Sequence, residues 1–306
     1  MGPGFRSLLY SEPRLYDLVF PDADGSIERM CREAFRRFLP SAPGSMLDIG
    51  CGTGRHVAAM AETISDCWGV DLIETNVAYA RARHPRLHVV QGDMRTVRLG
   101  RDFDVITSFG NALSYALMDA DLVRTMDTYA AHTRPGTLLI VDVLNARSYL
   151  DGDGFTERIE GRVDTLEFRA TSVSMHTLDR AARILRRTRV WTIPGRPSVE
   201  DYAEYRLVYP EELVRLLRAA GFDAIELYDN REFQSSDLTG TITPAPDLGG
   251  MRGRKLYAFA RGVDGRSDGR RDVGRAIPVV RRLLALSGVL RVEGGRVLDV
   301  PNVHGP

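Results

Sequence analysis

The order of apolar segments predicts an α/β fold in which a parallel sheet carries an inserted antiparallel β subdomain. Two patterns predict it. Apolar runs at 45–49, 67–70, 87–90, 103–107 and 137–143 read as strands, and helical patterns at 55–63, 73–83 and 119–132 lie between them. Strands alternating with helices at such short spacings indicate βαβ units. After residue 150 the rhythm breaks, and segments 157–170, 171–178 and 183–193, rich in Val, Thr, Ile and Arg, read as successive antiparallel strands.

Taken in order, residues 1–25 scatter Tyr10, Tyr16 and Phe20 among Gly, Pro and Asp, which suggests an irregular arm with one short helical turn. Residues 26–39 set Ile27, Met30, Cys31, Ala34, Phe35 and Phe38 at helical spacing, with Ser26 as the cap. Beyond the antiparallel segments, 204–209 offers one more strand. A helix follows at 210–220, with Pro210 in a favourable first position and Gly221 at its end. Strands at 222–228 and 255–261 close the main sheet. The long loop between them, 229–254, reads as a lid or pocket wall. These boundaries divide the chain into an arm and helix (1–40), a ligand-binding domain (41–150 and 206–262), an inserted lid (151–205) and a tail (263–306). The tail starts as a linker and holds one apolar stretch, IPVVRRLLALSGVL, of helical character, read as an appendage or an oligomer contact.

Composition narrows the function. Basic and acidic residues number 41 each, so no global field favours a polyanion, which weighs against a nucleic-acid binder. Lys255 is the sole lysine. Cys31, Cys51 and Cys67 form no paired spacing, as expected of reduced thiols in the cytoplasm. The N-terminal segment lacks the pattern of a secretory signal, and no stretch approaches the roughly 20 apolar residues of a membrane span.

The informative segment is MLDIGCGTGRH, residues 46–56. A strand ends in Asp48, a turn holds Gly50, Cys51, Gly52 and Gly54, and a helix starts at Arg55. Alternating glycines let the backbone turn sharply and leave room for a ligand, and the helix start presents free N–H groups. A dinucleotide fingerprint, G-x-G-x-x-G, would need its last glycine at Arg55, so this turn is of another kind. The next strand ends in Asp71-Leu72, near the offset of roughly 20 residues at which an acid meets a ribose. The third ends in Gln91-Gly92-Asp93-Met94, where Asp93 could accept from an adenine amino group with Met94 against the ring. Asp71 could equally cap the next helix, and Asp93 could only make a turn. Three successive strand ends supplying the chemistry of one nucleoside favour the ligand.

DIGCGTG, the acid of GVDL, QGDM and FDVITSFGNALSY together resemble the signature of class I S-adenosylmethionine-dependent methyltransferases over roughly residues 10–262. That resemblance implies a Rossmann-like sheet with S-adenosylmethionine as cofactor. It assigns the methionyl portion to the glycine turn and the nucleoside to the acids, hence Asp48, Gly50, Gly52, Gly54, Asp71, Asp93 and Met94. Cys51 and Leu72, beside these residues, and Ser108 join them as expected cofactor contacts. Within the family, LYDLVF, QGDMRTVRLGRDFDVITS and the insert are similar to small-molecule N-methyltransferases of bacterial antibiotic pathways, including those acting on nucleotide-linked aminosugars and lincosamide-type amines.

Ligands bind beyond the carboxyl ends of strands in open α/β sheets, so Ser108, Phe109, Asn111 and Tyr115, then Asp142 and Asn145, are candidates. The resemblance adds Tyr16 over the cofactor, with Tyr10. Tyr10, Tyr16, Phe109, Tyr115 and Asp142 are the expected catalytic set. Methyl transfer needs mainly alignment; an amine can give its proton to water, whereas an alcohol needs a base more. His56, His84, His88 and His132 read as structural or surface residues and His176 as a lesser candidate, so bases are scarce and N-methylation is favoured. The arginines 180, 183, 186, 187 and 189 read mainly as solvated, with a phosphate contact for one of them if the substrate is nucleotide-linked. The reading is therefore an N-methyltransferase acting on an amine of a natural-product intermediate, without nucleic-acid or membrane partners. The rivals are O-methylation of a hydroxyl, an RNA or protein methyltransferase, and a nucleoside-cofactor module without methyl transfer.

Overall fold

The computed structural model describes residues 5–21, 25–229 and 248–263, with the short segments 291–293 and 296–298. A strand covered on both faces is mostly apolar; β2 (Ser45–Ile49) is buried along its whole length, with Met46, Leu47 and Ile49 in the core and Ser45 and Asp48 held by hydrogen bonds. It lies at the middle of a seven-stranded sheet with β3 (Asp66–Asp71), β4 (His88–Gln91), β5 (Phe103–Ser108), β6 (Thr133–Leu144), β11 (Phe222–Asp229) and β12 (Lys255–Gly262). The order is β11-β12-β6-β5-β2-β3-β4. Strands β6 to β4 run parallel, whereas β12 lies antiparallel to both β6 and β11. Helices α4 (Arg55–Met60), α5 (Glu74–Arg83), α6 (Asp119–Ala131), α7 (Ala146–Leu150) and α8 (Pro210–Ala219) connect them. This is the expected Rossmann-like α/β sheet, with a second, antiparallel sheet added.

The added sheet has the order β1-β10-β9-β8-β7, from β1 (Phe5–Arg6), β7 (Arg158–Asp164), β8 (Arg169–Asp179), β9 (Ile184–Thr192) and β10 (Val199–Arg206). The expected strand 157–170 is two strands, because Thr165 closes a turn: its N–H donates to the Phe168 carbonyl and its hydroxyl accepts from the Phe168 N–H. The strand expected at 204–209 starts earlier, at Val199, and stops before the turn into α8.

The N-terminal arm is more ordered than its composition suggests. It holds β1 and two helices, α1 (Leu8–Ser11) and α2 (Pro13–Val19), with Pro13 opening the second where its missing N–H costs nothing. What orders it is distant in sequence: β1 pairs with β10, and the Leu8 N–H donates to Asp201 Oδ1 at 2.7 Å. Helix α3 (Ser26–Phe38) follows, and its N-cap is Gly25 in the left-handed region (φ 61°); Ser26 is the first helical residue instead.

Two expectations lie largely outside the described residues: the loop 229–254, of which 248–254 are seen, and the helical stretch in the tail. In the tail, β13 (Arg291–Glu293) pairs antiparallel with β14 (Arg296–Leu298). Among the described residues, no helix is long and apolar enough to cross a membrane.

Candidate active site

The glycine turn forms where β2 ends. Gly50, Gly52 and Gly54 have φ of 85°, 55° and 77°. The N–H groups of Gly50 and Cys51 both donate to the Val70 carbonyl, at 2.7 and 3.0 Å, tying the turn to β3. A Cβ on Gly50 would sit 2.6 Å from the Ala112 Cβ, so the loop after β5 packs straight onto the turn. A Cβ on Gly52 would meet nothing within 4 Å, which leaves an open cradle for a ligand. Cys51 offers only its backbone there: its side chain is buried against Gly69, and burial pushes its thiol upward.

The acids differ in what they can still accept. Asp48 is buried and accepts from the Thr107 hydroxyl at 2.8 Å, bracing β2 against β5. Loss of hydration there pushes its carboxyl up to about 7, against the pull of the Thr107 hydrogen bond. Asp71 combines both sequence readings. Its Oδ2 accepts from Gly52 N–H at 2.8 Å, and its Oδ1 from Ile73 N–H and Asn76, at the start of α5. The side chain of Leu72, beside it, is about half exposed at 48%. Asp93 is gripped by Arg95, whose guanidinium bonds both oxygens (2.6 to 3.1 Å) and whose N–H adds a further bond at 2.8 Å. That grip holds the Asp93 carboxyl below its ordinary range. An adenine amino group would have to share it. Met94 packs partly buried on the core beneath.

Next to the turn lies a cavity of about 520 Å³, walled by both sheets and the arm. Tyr10, Tyr16, Phe109, Tyr115 and Asp142 all line it, so the expected catalytic set converges. The phenols of Tyr10 and Tyr115 are hydrogen bonded at 2.9 Å, and burial raises the pKa of both. The Arg55 guanidinium covers the Tyr16 ring at 5.4 Å, and the Thr53 hydroxyl donates to Asp17 in the same helix at 2.8 Å, latching α2 over the turn. Asp48, Asp71, Asp93 and Met94 do not line this cavity.

Several expectations need correction. Ser108 is fully buried and donates to the Ile49 carbonyl, so it joins β5 to β2 and reaches no ligand space. Asn145 caps α7 and donates to the carbonyls of Met251 and Gly253. Asp142 does not present a bare carboxylate: it accepts from Gly110 N–H (3.3 Å), Asn111 N–H (2.7 Å) and Lys255 Nζ (2.8 Å). His56, read as structural or surface, lines the cavity edge-on to Phe109. His132 is structural, as expected: it is buried, accepting from Leu99 N–H at Nε2 with Nδ1 against the Thr128 carbonyl.

Lys255 and Tyr205 also line the cavity, missed by sequence reasoning as site residues, and so do Arg187 and Arg189, which the sequence read mainly as solvated. Lys255 carried a signal, being the sole lysine. Alternation along β9 points Arg187 and Arg189 inward, opposite to Arg186, which pairs with Glu204 on β10. Arg189 is neutralised by buried Asp201, whereas Arg187 lies over the Tyr205 ring at 5.5 Å with no carboxylate partner among the described residues.

Residues 46–136 match a family model described as a methyltransferase domain. This part of the chain is similar to methyltransferase domains. It contains the glycine turn, the three acids and the loop after β5. The chain is similar to a dTDP-3-amino-3,6-dideoxy-α-D-glucopyranose N,N-dimethyltransferase of Streptomyces fradiae, 32% identical over 42% of this chain and 51% of that one. It is also similar to a dTDP-4-amino-2,3,4,6-tetradeoxy-D-glucose N,N-dimethyltransferase of Saccharopolyspora spinosa, 28% identical over 62% and 75% of the two chains. The match spans about half the length of the first of these relatives. Among solved structures, an amino pentose methyltransferase of Micromonospora echinaspora superposes with a TM-score of 0.64 at 21% identity, over 82% of this chain and 96% of that one. At that identity the likeness establishes the fold alone.

Proposed function

We propose that this chain transfers a methyl group from S-adenosylmethionine to an amine of a small natural-product intermediate. The observation that carries the reading is the adjacency of the open glycine cradle, tied to Asp71, and a cavity lined by Tyr10, Tyr16, Phe109 and Tyr115. When bound, S-adenosylmethionine supplies a methyl group on a sulfonium that leaves as a neutral thioether. We assign its methionyl part to Asp48 and the turn, its ribose to Asp71 and its adenine to Leu72, Asp93 and Met94. Tyr16 and Phe109 would enclose the reacting end and exclude water, because alignment rather than acid–base chemistry is the main requirement. The relatives named above act on nucleotide-linked aminosugars, which supports an amine acceptor. We assign the arm and the antiparallel sheet to that acceptor, with Arg187 as the group for a phosphate if one is attached.

Isothermal titration with S-adenosylmethionine and S-adenosylhomocysteine tests the cofactor. Micromolar binding that weakens at least about ten-fold in Asp71→Ala is expected, from loss of a charge-assisted hydrogen bond. Absence of binding in the wild type sinks the reading. Incubation with a dTDP-3-aminosugar and mass fragmentation of the product tests the acceptor; a methyl group found on oxygen sinks the choice of nitrogen.

A further inference from the structure

Strand β7 ends one side of the antiparallel sheet. Among the described residues it pairs with β8 alone, from Arg158 opposite Met175 to Asp164 opposite Arg169. All its residues except the half-buried Val163 are exposed, Ile159 at 40% among them, so little of the molecule overhangs this edge. A free edge offers backbone N–H and C=O groups to another strand, and charged side chains commonly guard it. In β7, Arg158, Glu160, Arg162 and Asp164 are spaced two apart, which puts them on one face of the sheet. Along the strand Arg158 pairs with Glu160, and Arg162 with Asp164.

The order of these charges is the informative feature. A parallel copy of β7 would set each charge against its own kind. An antiparallel copy centred on Gly161 sets Arg158 opposite Asp164 and Glu160 opposite Arg162, and symmetry repeats both pairs. Ile159 then meets Val163 on the other face. Sliding the copy by two residues sets Arg158 opposite Arg162, or Glu160 opposite Asp164. Sliding it by one sets charged side chains against apolar ones or glycine. Guarding an edge needs charge only, in any order. Here the order accepts one register and penalises its neighbours, as specific pairing requires.

We propose that this chain forms a two-fold dimer in which β7 pairs antiparallel with β7 of a second copy, centred on Gly161. The two antiparallel sheets become one continuous sheet, and the exposed edge is closed. Leu166, fully exposed just beyond β7, comes alongside the chain that precedes β7 in the other copy.

Sedimentation equilibrium of the full chain tests this pairing. The wild type should have twice the 34.0 kDa of one chain. Arg158→Glu with Arg162→Glu makes the edge wholly acidic, and Glu160→Arg with Asp164→Arg makes it wholly basic. Each double variant alone should be monomeric, its dissociation constant raised at least about ten-fold by like charges directly opposite one another. Circular dichroism should show both folded, because every substituted side chain is exposed. Mixed in equal amounts, the two should recover the dimer. Arg158→Asp with Asp164→Arg exchanges two opposed charges and should dimerise like the wild type. A wild type that stays monomeric at about 100 μM, a weak affinity for any specific dimer, overturns the pairing. Double variants that keep the dimeric mass, or that stay apart on mixing, overturn it too. Loss of the dimer in the exchanged variant overturns the register.

Discussion

The two sides of the candidate site are built by different means. On the glycine-turn side, contacts come from residues close in sequence or on adjacent parallel strands: Gly52 with Asp71, Gly50 with Val70, Asp93 with Arg95. On the opposite side, the arm and the antiparallel sheet are joined by partners far apart in sequence. Asp201 alone gathers the Leu8 N–H, the Arg189 guanidinium and the Trp191 indole, with none of its own surface exposed. Backbone geometry defines the first side and buried side-chain pairing the second. A single substitution should therefore damage the second side more through stability, and the first more through ligand affinity.

The largest effect is expected at Asp201. Removing one partner of a buried ion pair leaves an uncompensated charge, at a cost of about 3–5 kcal/mol. Urea unfolding of Asp201→Ala should show a loss of that size, while affinity for S-adenosylhomocysteine in the folded protein stays near wild type. A collapse of that affinity would break the division between the two sides.

Asp48 gives the next effect, with the opposite sign. Its folded pKa of about 7 stands above the ordinary 3.8, so between these values the folded state binds more protons than the unfolded one. Its contribution is fully present below pH 4 and is lost as the pH rises through 7. Asn keeps an acceptor for Thr107 without the charge. The melting temperature of Asp48→Asn should equal that of wild type near pH 4 and exceed it by several degrees at pH 8, at about 2–4 °C per kcal/mol. Equal melting curves at both pH values would mean that Asp48 carries no such penalty.

The smallest effect is expected at Tyr115. Tyr115→Phe removes the hydrogen bond to Tyr10, worth about 0.5–1.5 kcal/mol. Thermal unfolding should fall slightly, and protease sensitivity of the arm should rise. Unchanged sensitivity would show that the arm is held by Asp201 and β1 alone.

The same difference explains how much could be read in advance. Strand ends, glycine spacing and the acids after β2, β3 and β4 lie within short windows, so their pattern was visible, and Phe109 and Asp142 followed from strand order. Ser108 was misjudged because a residue at a strand end can face the core or the ligand, and sequence position does not choose. His56 was underrated because its place in the first turn of α4 does not tell which way its ring faces. Arg187, Arg189 and Tyr205 became site residues only through the register of β9 with β10, where a shift of one residue would turn every side chain to the opposite face.

The sequence by itself determined the α/β order, the glycine turn and the acids at the strand ends, because hydrophobic period and turn chemistry act over a few residues. Tertiary structure decided which side chains meet across the cavity. Lys255 reaches Asp142 across 113 residues and Leu8 reaches Asp201 across 193, and only the packing of two sheets and an arm brings such groups within hydrogen-bond distance.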